Sequence, residues 1–86
     1  MNRSDTAVGE ILALLADRAD NATICPSEVA RRLARDNPRG WRAQMPIVHE
    51  AVDHLVAQAV IALSWKGRRL ARRCGPYRIR RERAMA

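Results

Sequence analysis

Eighty-six residues fit one small domain, with 48% hydrophobic and 29% charged residues, a globular balance that excludes a disordered chain. A chain of this size buries only about 60% of its unfolded surface, which leaves little room for an enclosed catalytic cavity. The longest apolar runs, at 11–16 and 59–63, fall far short of the ~20 residues of a membrane span, and acidic Asp5 and Glu10 stand where a signal peptide is positive and then apolar. A soluble cytoplasmic protein with no membrane association is expected.

Ser4 or Asp5 caps a first helix to about Ala19, with Val8, Ile11, Leu12 and Leu15 at helical spacing. Thr23-Ile24 reads as a short strand. Pro26 suits a first helical position, with Cys25 as a weak cap and Glu28 at the capping-box position. In the brief second helix Val29, Leu33 and Ala34 point inward and Arg31, Arg32 and Arg35 outward. Asn37-Pro38-Arg39-Gly40 is a turn by composition.

The third helix carries the stripe Trp41, Met45, Val48, Val52, Leu55 and Ala59. Pro46 near its start either kinks the first turn or makes 41–45 a separate turn. The period then changes to two. Ile61, Leu63 and Trp65 alternate with Ala62, Ser64 and Lys66, a strand with one buried face. A basic loop runs from Gly67 to Gly75-Pro76, and residues 77–80 return as a second strand. The expected hairpin turns Ile61, Leu63 and Ile79 toward the helices. Residues 1–80 form the domain and 81–86 a basic, flexible tail.

The net charge of +7 is unevenly distributed. Residues 1–65 hold seven arginines against eight acids; residues 66–86 hold nine cations against Glu82 alone. Eight of those nine are arginine, whose planar fork suits phosphate. A one-sided polyanion-binding face is the natural reading.

Catalytic chemistry finds little support. His49 and Asp53, four apart, read as a local surface pair, with Ser27 as a hydroxyl elsewhere, and no nucleophile-elbow string occurs. The glycines are isolated, so there is no phosphate-binding loop. Cys25, His49, His54 and Cys74 lack zinc spacing, and the two cysteines read as idle thiols. No catalytic residue, metal or cofactor is expected. Trp41 and Met45 read as packing residues; Trp65 and Tyr77 either face the core or cover the sheet.

The order helix, short strand, helix, helix, strand, basic loop, strand is that of an α+β winged helix-turn-helix: three helices, a short strand and a C-terminal β-hairpin wing. The strings Ile24-Cys25-Pro26-Ser27-Glu28-Val29-Ala30, Trp41-Arg42-Ala43-Gln44-Met45-Pro46, Lys66-Gly67-Arg68 and Gly75-Pro76-Tyr77-Arg78 resemble the small bacterial family known as domain of unknown function 3253, over roughly residues 8–80. The resemblance implies a winged-helix fold and assigns no site residue.

The face of the third helix opposite its stripe carries Glu50 and Asp53 and no cation beyond Arg42, a poor match to a major groove lined by phosphates. The expected function is therefore a non-enzymatic nucleic-acid-binding module whose wing contacts the phosphates of DNA. The expected contacts are Arg68, Arg69, Arg72, Arg73, Arg78 and Arg80, with Lys66 and Arg42, helped by Arg31, Arg32 and Arg35 if they lie on the same side. The alternative is a protein-interaction module whose basic wing binds an acidic protein partner.

Overall fold

The computed structural model describes residues 2–82. Three helices, a 3-10 helix and a three-stranded antiparallel sheet make an α+β fold. Helix α1 spans Arg3–Ala16 and α2 Pro26–Leu33. The 3-10 helix, Pro38–Gln44, leads directly into α3, Met45–Ala57. Strands β1 (Ile61–Trp65), β2 (Arg68–Leu70) and β3 (Arg78–Arg81) follow. The last four residues of the expected tail lie outside the described residues.

Helix α1 begins two residues earlier than the expected caps. The Asn2 side chain accepts from the Asp5 backbone N–H at 2.9 Å and serves as N-cap. Its buried face is Ala7, Ile11, Leu14 and Leu15, whereas Leu12 is exposed. The stripe is rotated from the expected one because α1 packs against both α2 and α3. Helix α2 starts as its sequence suggests, with Pro26 in the first turn and the Glu28 carboxylate accepting from the Cys25 N–H at 3.1 Å.

The 41–59 stripe does not form one helix. Pro46 cannot donate to an earlier carbonyl, and the chain before it tightens into the 3-10 turn that carries Trp41. Ala59 also leaves the stripe: it is exposed, at φ 58°, just past the helix. Its N–H donates to the Val56 carbonyl and the Val60 N–H to the Leu55 carbonyl, both at 3.0 Å, which is the Schellman pairing. A left-handed alanine costs roughly 1–2 kcal/mol that glycine avoids, partly offset by glycine's greater unfolded-state entropy. Ala59→Gly is therefore expected to stabilise the protein by about 0.5–1 kcal/mol. A lower melting temperature in that variant would contradict this account of the helix end.

The basic segment is more ordered than a loop between two strands. Lys66 (φ 51°) and Gly67 (φ 80°) form a two-residue turn with both residues left-handed, the conformation that matches the strand twist. Strand β2 therefore folds straight back on β1, pairing Trp65 with Arg68 and Leu63 with Leu70. Residues 71–77 then cross to the other edge, where β3 pairs with β1 through Leu63–Ile79 and Ser64–Arg78. The order is β2-β1-β3, and a single bridge adds Ile24 beside Ile79. Ile61, Leu63 and Ile79 are buried toward the helices as expected, while Trp65 reaches past the core and is exposed.

The core joins every element: Ile11 from α1, Ile24 from the bridge, Val29 from α2, Val48, Val52 and Leu55 from α3, and Ile61, Leu63 and Ile79 from the sheet. No charged or polar residue among those described is buried. Arg81 belongs to this body and not to a tail. It extends β3 opposite Ile61, and its guanidinium donates to the Leu15 carbonyl (2.6 Å) and the Asp20 carboxylate (2.7 Å). It thus places a cation at the C-terminus of α1, whose own last turn has none.

Candidate nucleic-acid interface

The eight cations expected to contact phosphate divide sharply by what they touch. Arg69, on β2, grips the Glu82 carboxylate with both terminal nitrogens, Nη1 to Oε1 at 3.1 Å. Because Glu82 follows β3, this ion pair spans the central strand from edge to edge. Arg73 makes a bidentate pair with Asp53 of α3, at 2.7 and 2.9 Å. Arg78 donates to the Thr23 hydroxyl (2.9 Å) and carbonyl (3.3 Å), fastening the segment before α2 to the sheet. These three arginines are structural ties: part of each donor fork is already engaged, and in Arg69 and Arg73 the charge is already met by a carboxylate.

The side chains of Lys66, Arg68, Arg72 and Arg80 have no hydrogen-bond or ion-pair partner among the described residues, and Arg42 stacks on Trp41. Arg68 and Arg69 sit on β2, not in a loop, so their side chains alternate between the faces of the sheet.

Connectivity places these groups. Only residues 58–60 separate the end of α3 from the start of β1. At the other end, His49 in the second turn of α3 meets Tyr77, which precedes the residue paired with Ser64 near the end of β1. Helix α3 therefore runs back along β1, and its N-terminus lies at the same end of the molecule as the Lys66-Gly67 turn. Arg42 and Arg39, on the 3-10 helix leading into α3, share that end with Lys66 and Arg68. Arg72 lies elsewhere, lining a cleft of about 310 Å³ with Val56 and Ala57 at the far end of α3. Arg80 pairs with Ala62 inside the sheet.

Of the arginines of α2, Arg32 and Arg35 both bind Glu10 of α1, at 2.9 and 2.7 Å. Arg31 turns the other way and lies 4.6 Å from the centre of the Trp41 ring; Arg42 lies 4.5 Å from it. Arg39, which sequence reasoning passed over, is exposed and without a partner. Its only signal was its place two residues before Trp41.

The expected His49–Asp53 pair is neither hydrogen-bonded nor in ion-pair contact, because each has a closer partner, although the two still interact through their charges. Asp53 is held by Arg73, whose hydrogen bond keeps the carboxyl below its ordinary range. His49 Nδ1 lies 2.7 Å from the Tyr77 hydroxyl. Burial raises the Tyr77 phenol well above its usual value and, aided by nearby Arg73, lowers the His49 pKa, with Asp53 opposing. Both shifts favour a phenol donating to a neutral imidazole. Ser27 is not aligned with them; its hydroxyl lies 3.0 Å from Cys25 Sγ. Cys25 and Cys74 are free thiols, and no group of three metal-ligating side chains occurs among the described residues.

Because the folded-state pKa of His49 lies below the unfolded value near 6.5, the unfolded chain takes up a proton more readily. This contribution to stability is complete above pH 6.5 and is lost as pH falls toward the folded pKa. The melting temperature is expected to fall between pH 7.5 and 5, a window above the titration of Asp53, and to fall less in His49→Gln. An identical decline in both proteins would assign the effect to other groups.

No helix among the described residues is long and apolar enough to cross a membrane. No curated protein matches the chain. The sequence profile of a family described as a protein of unknown function, DUF3253, matches residues 4–82, nearly the whole chain, and the protein belongs to that family.

Proposed function

We propose that this protein is a non-enzymatic winged helix-turn-helix module that binds the phosphate backbone of duplex DNA end-on, with its hairpin turn and the 3-10 entry to α3. The reading rests chiefly on one observation: the cations of the turn (Lys66, Arg68) and of the 3-10 helix (Arg39, Arg42), which the chain connectivity directs toward one end, have no carboxylate partner among the described residues. All six ion pairs of the described residues involve other arginines. An uncompensated cation group on one end is what a polyanion meets first, and releasing condensed counterions drives such contacts.

The element order supports the winged-helix assignment, with α2 and α3 as the helical pair and β1–β2–β3 as the wing. The outward side of α3 does not suit groove reading. Pro46, Glu50, Asp53 and Ala57 are exposed there, and Asp53 is already engaged by Arg73. Contact is accordingly assigned to phosphates, which position a protein without reading bases.

The test is fluorescence anisotropy of a labelled random duplex titrated with the protein at several salt concentrations. Binding that weakens steeply with salt and varies little with sequence is expected. Absence of binding at low salt, together with binding to polyglutamate, would replace the DNA reading with that of a module for acidic proteins.

A further inference from the structure

The arginines around Trp41 suggest a more specific role for one part of this end. Trp41 is partly buried against the core, so its ring is fixed by packing. Arg31 from α2 and Arg42 from the 3-10 helix bring their guanidinium carbons to 4.6 and 4.5 Å from its centre. Both side chains are exposed, and neither touches a carboxylate. The contrast with their neighbours is informative: Arg32 and Arg35 are closed off by Glu10 and Arg18 by Glu28. One side of α2 is thus neutralised, whereas Arg31 is kept cationic on the other.

Stacking on an indole restrains a guanidinium through its face and leaves its edge N–H donors free. A phosphate oxygen binds at that edge, in the plane of the fork. A long arginine ordinarily loses much rotamer freedom on binding, and here part of that loss has already occurred in the free protein. We propose that Arg31, Trp41 and Arg42 form a preorganised anchor for backbone phosphates, with Trp41 as the platform that orients two arginine forks. Trp41 is a positioning residue in this arrangement, and it stacks on no base. The proposal rests on the DNA-binding reading above and adds to it a site built on an indole, away from the wing, in which Arg31 acts without Arg32 and Arg35.

The experiment uses the full chain carrying Trp65→Phe, which leaves Trp41 as the single tryptophan. A short random duplex is titrated while anisotropy of the labelled DNA and Trp41 emission are followed together. Trp41 emission is expected to change in step with the anisotropy. Arg31→Gln with Arg42→Gln, both exposed, should flatten the plot of log affinity against log salt by about 2 units, at ~0.9 per phosphate contact.

Trp41→Leu, checked for folding by its melting curve, should weaken binding about tenfold by freeing two long side chains, with the salt slope unchanged because no charge is lost. Normal DNA binding with unchanged Trp41 emission, and an undiminished slope in the double glutamine variant, would overturn the anchor and leave the wider reading standing. If Trp41→Leu does not fold, emission and the glutamine pair decide the matter alone. No binding by the parent at low salt would remove the DNA reading and the anchor with it.

Discussion

Leu55→Ala is expected to destabilise the protein by about 2–5 kcal/mol, the range for truncating a buried leucine where the surroundings relax only in part. Leu55 is 2% exposed, on the face of α3 that meets the sheet and α1. Its backbone carbonyl also closes the helix end by accepting from Val60, so the chain there has little freedom to collapse into the vacated space. For a domain of this length about 1 kcal/mol shifts the melting temperature by roughly 4–8 °C, so a fall of at least about 8 °C follows. Set against a usual stability of ~5–15 kcal/mol, a loss at the upper end would leave part of the population unfolded at physiological temperature. A melting temperature within a degree or two of the parent would mean that this face of α3 does not pack as described.

The buried faces of α3 and of β1 and β3 were legible because their large apolar residues repeat with the period of the element, Val48, Val52 and Leu55 at helical steps and Ile61 and Leu63 at alternate positions, although Ala62 between them is buried as well. Helix α1 was read correctly in kind, but it starts earlier and ends at Ala16 instead of near Ala19, and its phase differs, since a run as apolar as 11–16 offers two stripes and only the packing of α2 and α3 chooses between them. Strand β2 carried no such pattern. It is three residues long, two of them arginine, and its register is set by a turn with lysine where asparagine, aspartate or glycine would have announced it. The 3-10 helix was one of two alternatives that Pro46 left open.

The site was legible as a charge excess and illegible as a set of contacts. Which arginines are free depends on carboxylates brought near from 20 residues away for Arg73–Asp53, 13 for Arg69–Glu82 and 61 for Arg81–Asp20. Only Arg69 and Glu82 fall within one counted segment, and nothing local to either shows that they meet across the sheet. Counting charge by segment therefore assigned to the interface three arginines that the fold uses internally. It also passed over Arg39, which stands in a segment where acids and bases balance on paper.

Replacing Arg39, Arg42, Lys66 and Arg68 together by alanine is expected to remove most DNA binding from a protein that remains folded. All four are exposed, and none ties one element to another through an ion pair. Surface changes of this kind each shift stability by under ~0.5 kcal/mol, and the loss of the Arg42–Trp41 stack adds about 0.5–1 kcal/mol at an exposed site. If each cation neutralises one phosphate, the plot of log affinity against log salt should flatten by about 3–4 units. Between 50 and 200 mM salt the parent would then lose about a hundredfold more affinity than the variant. The loss should be nearly equal on unrelated duplexes, because phosphate contacts carry no base information. The control is Arg69→Ala with Arg73→Ala, which removes charge from the same basic segment at two arginines already held by Glu82 and Asp53. That pair should lower the melting temperature slightly and leave the salt slope close to the parent's. The reverse outcome, a flattened slope in the control and an unchanged one in the quadruple variant, would move the interface from this end of the molecule to the side where residues 71–77 lie against α3.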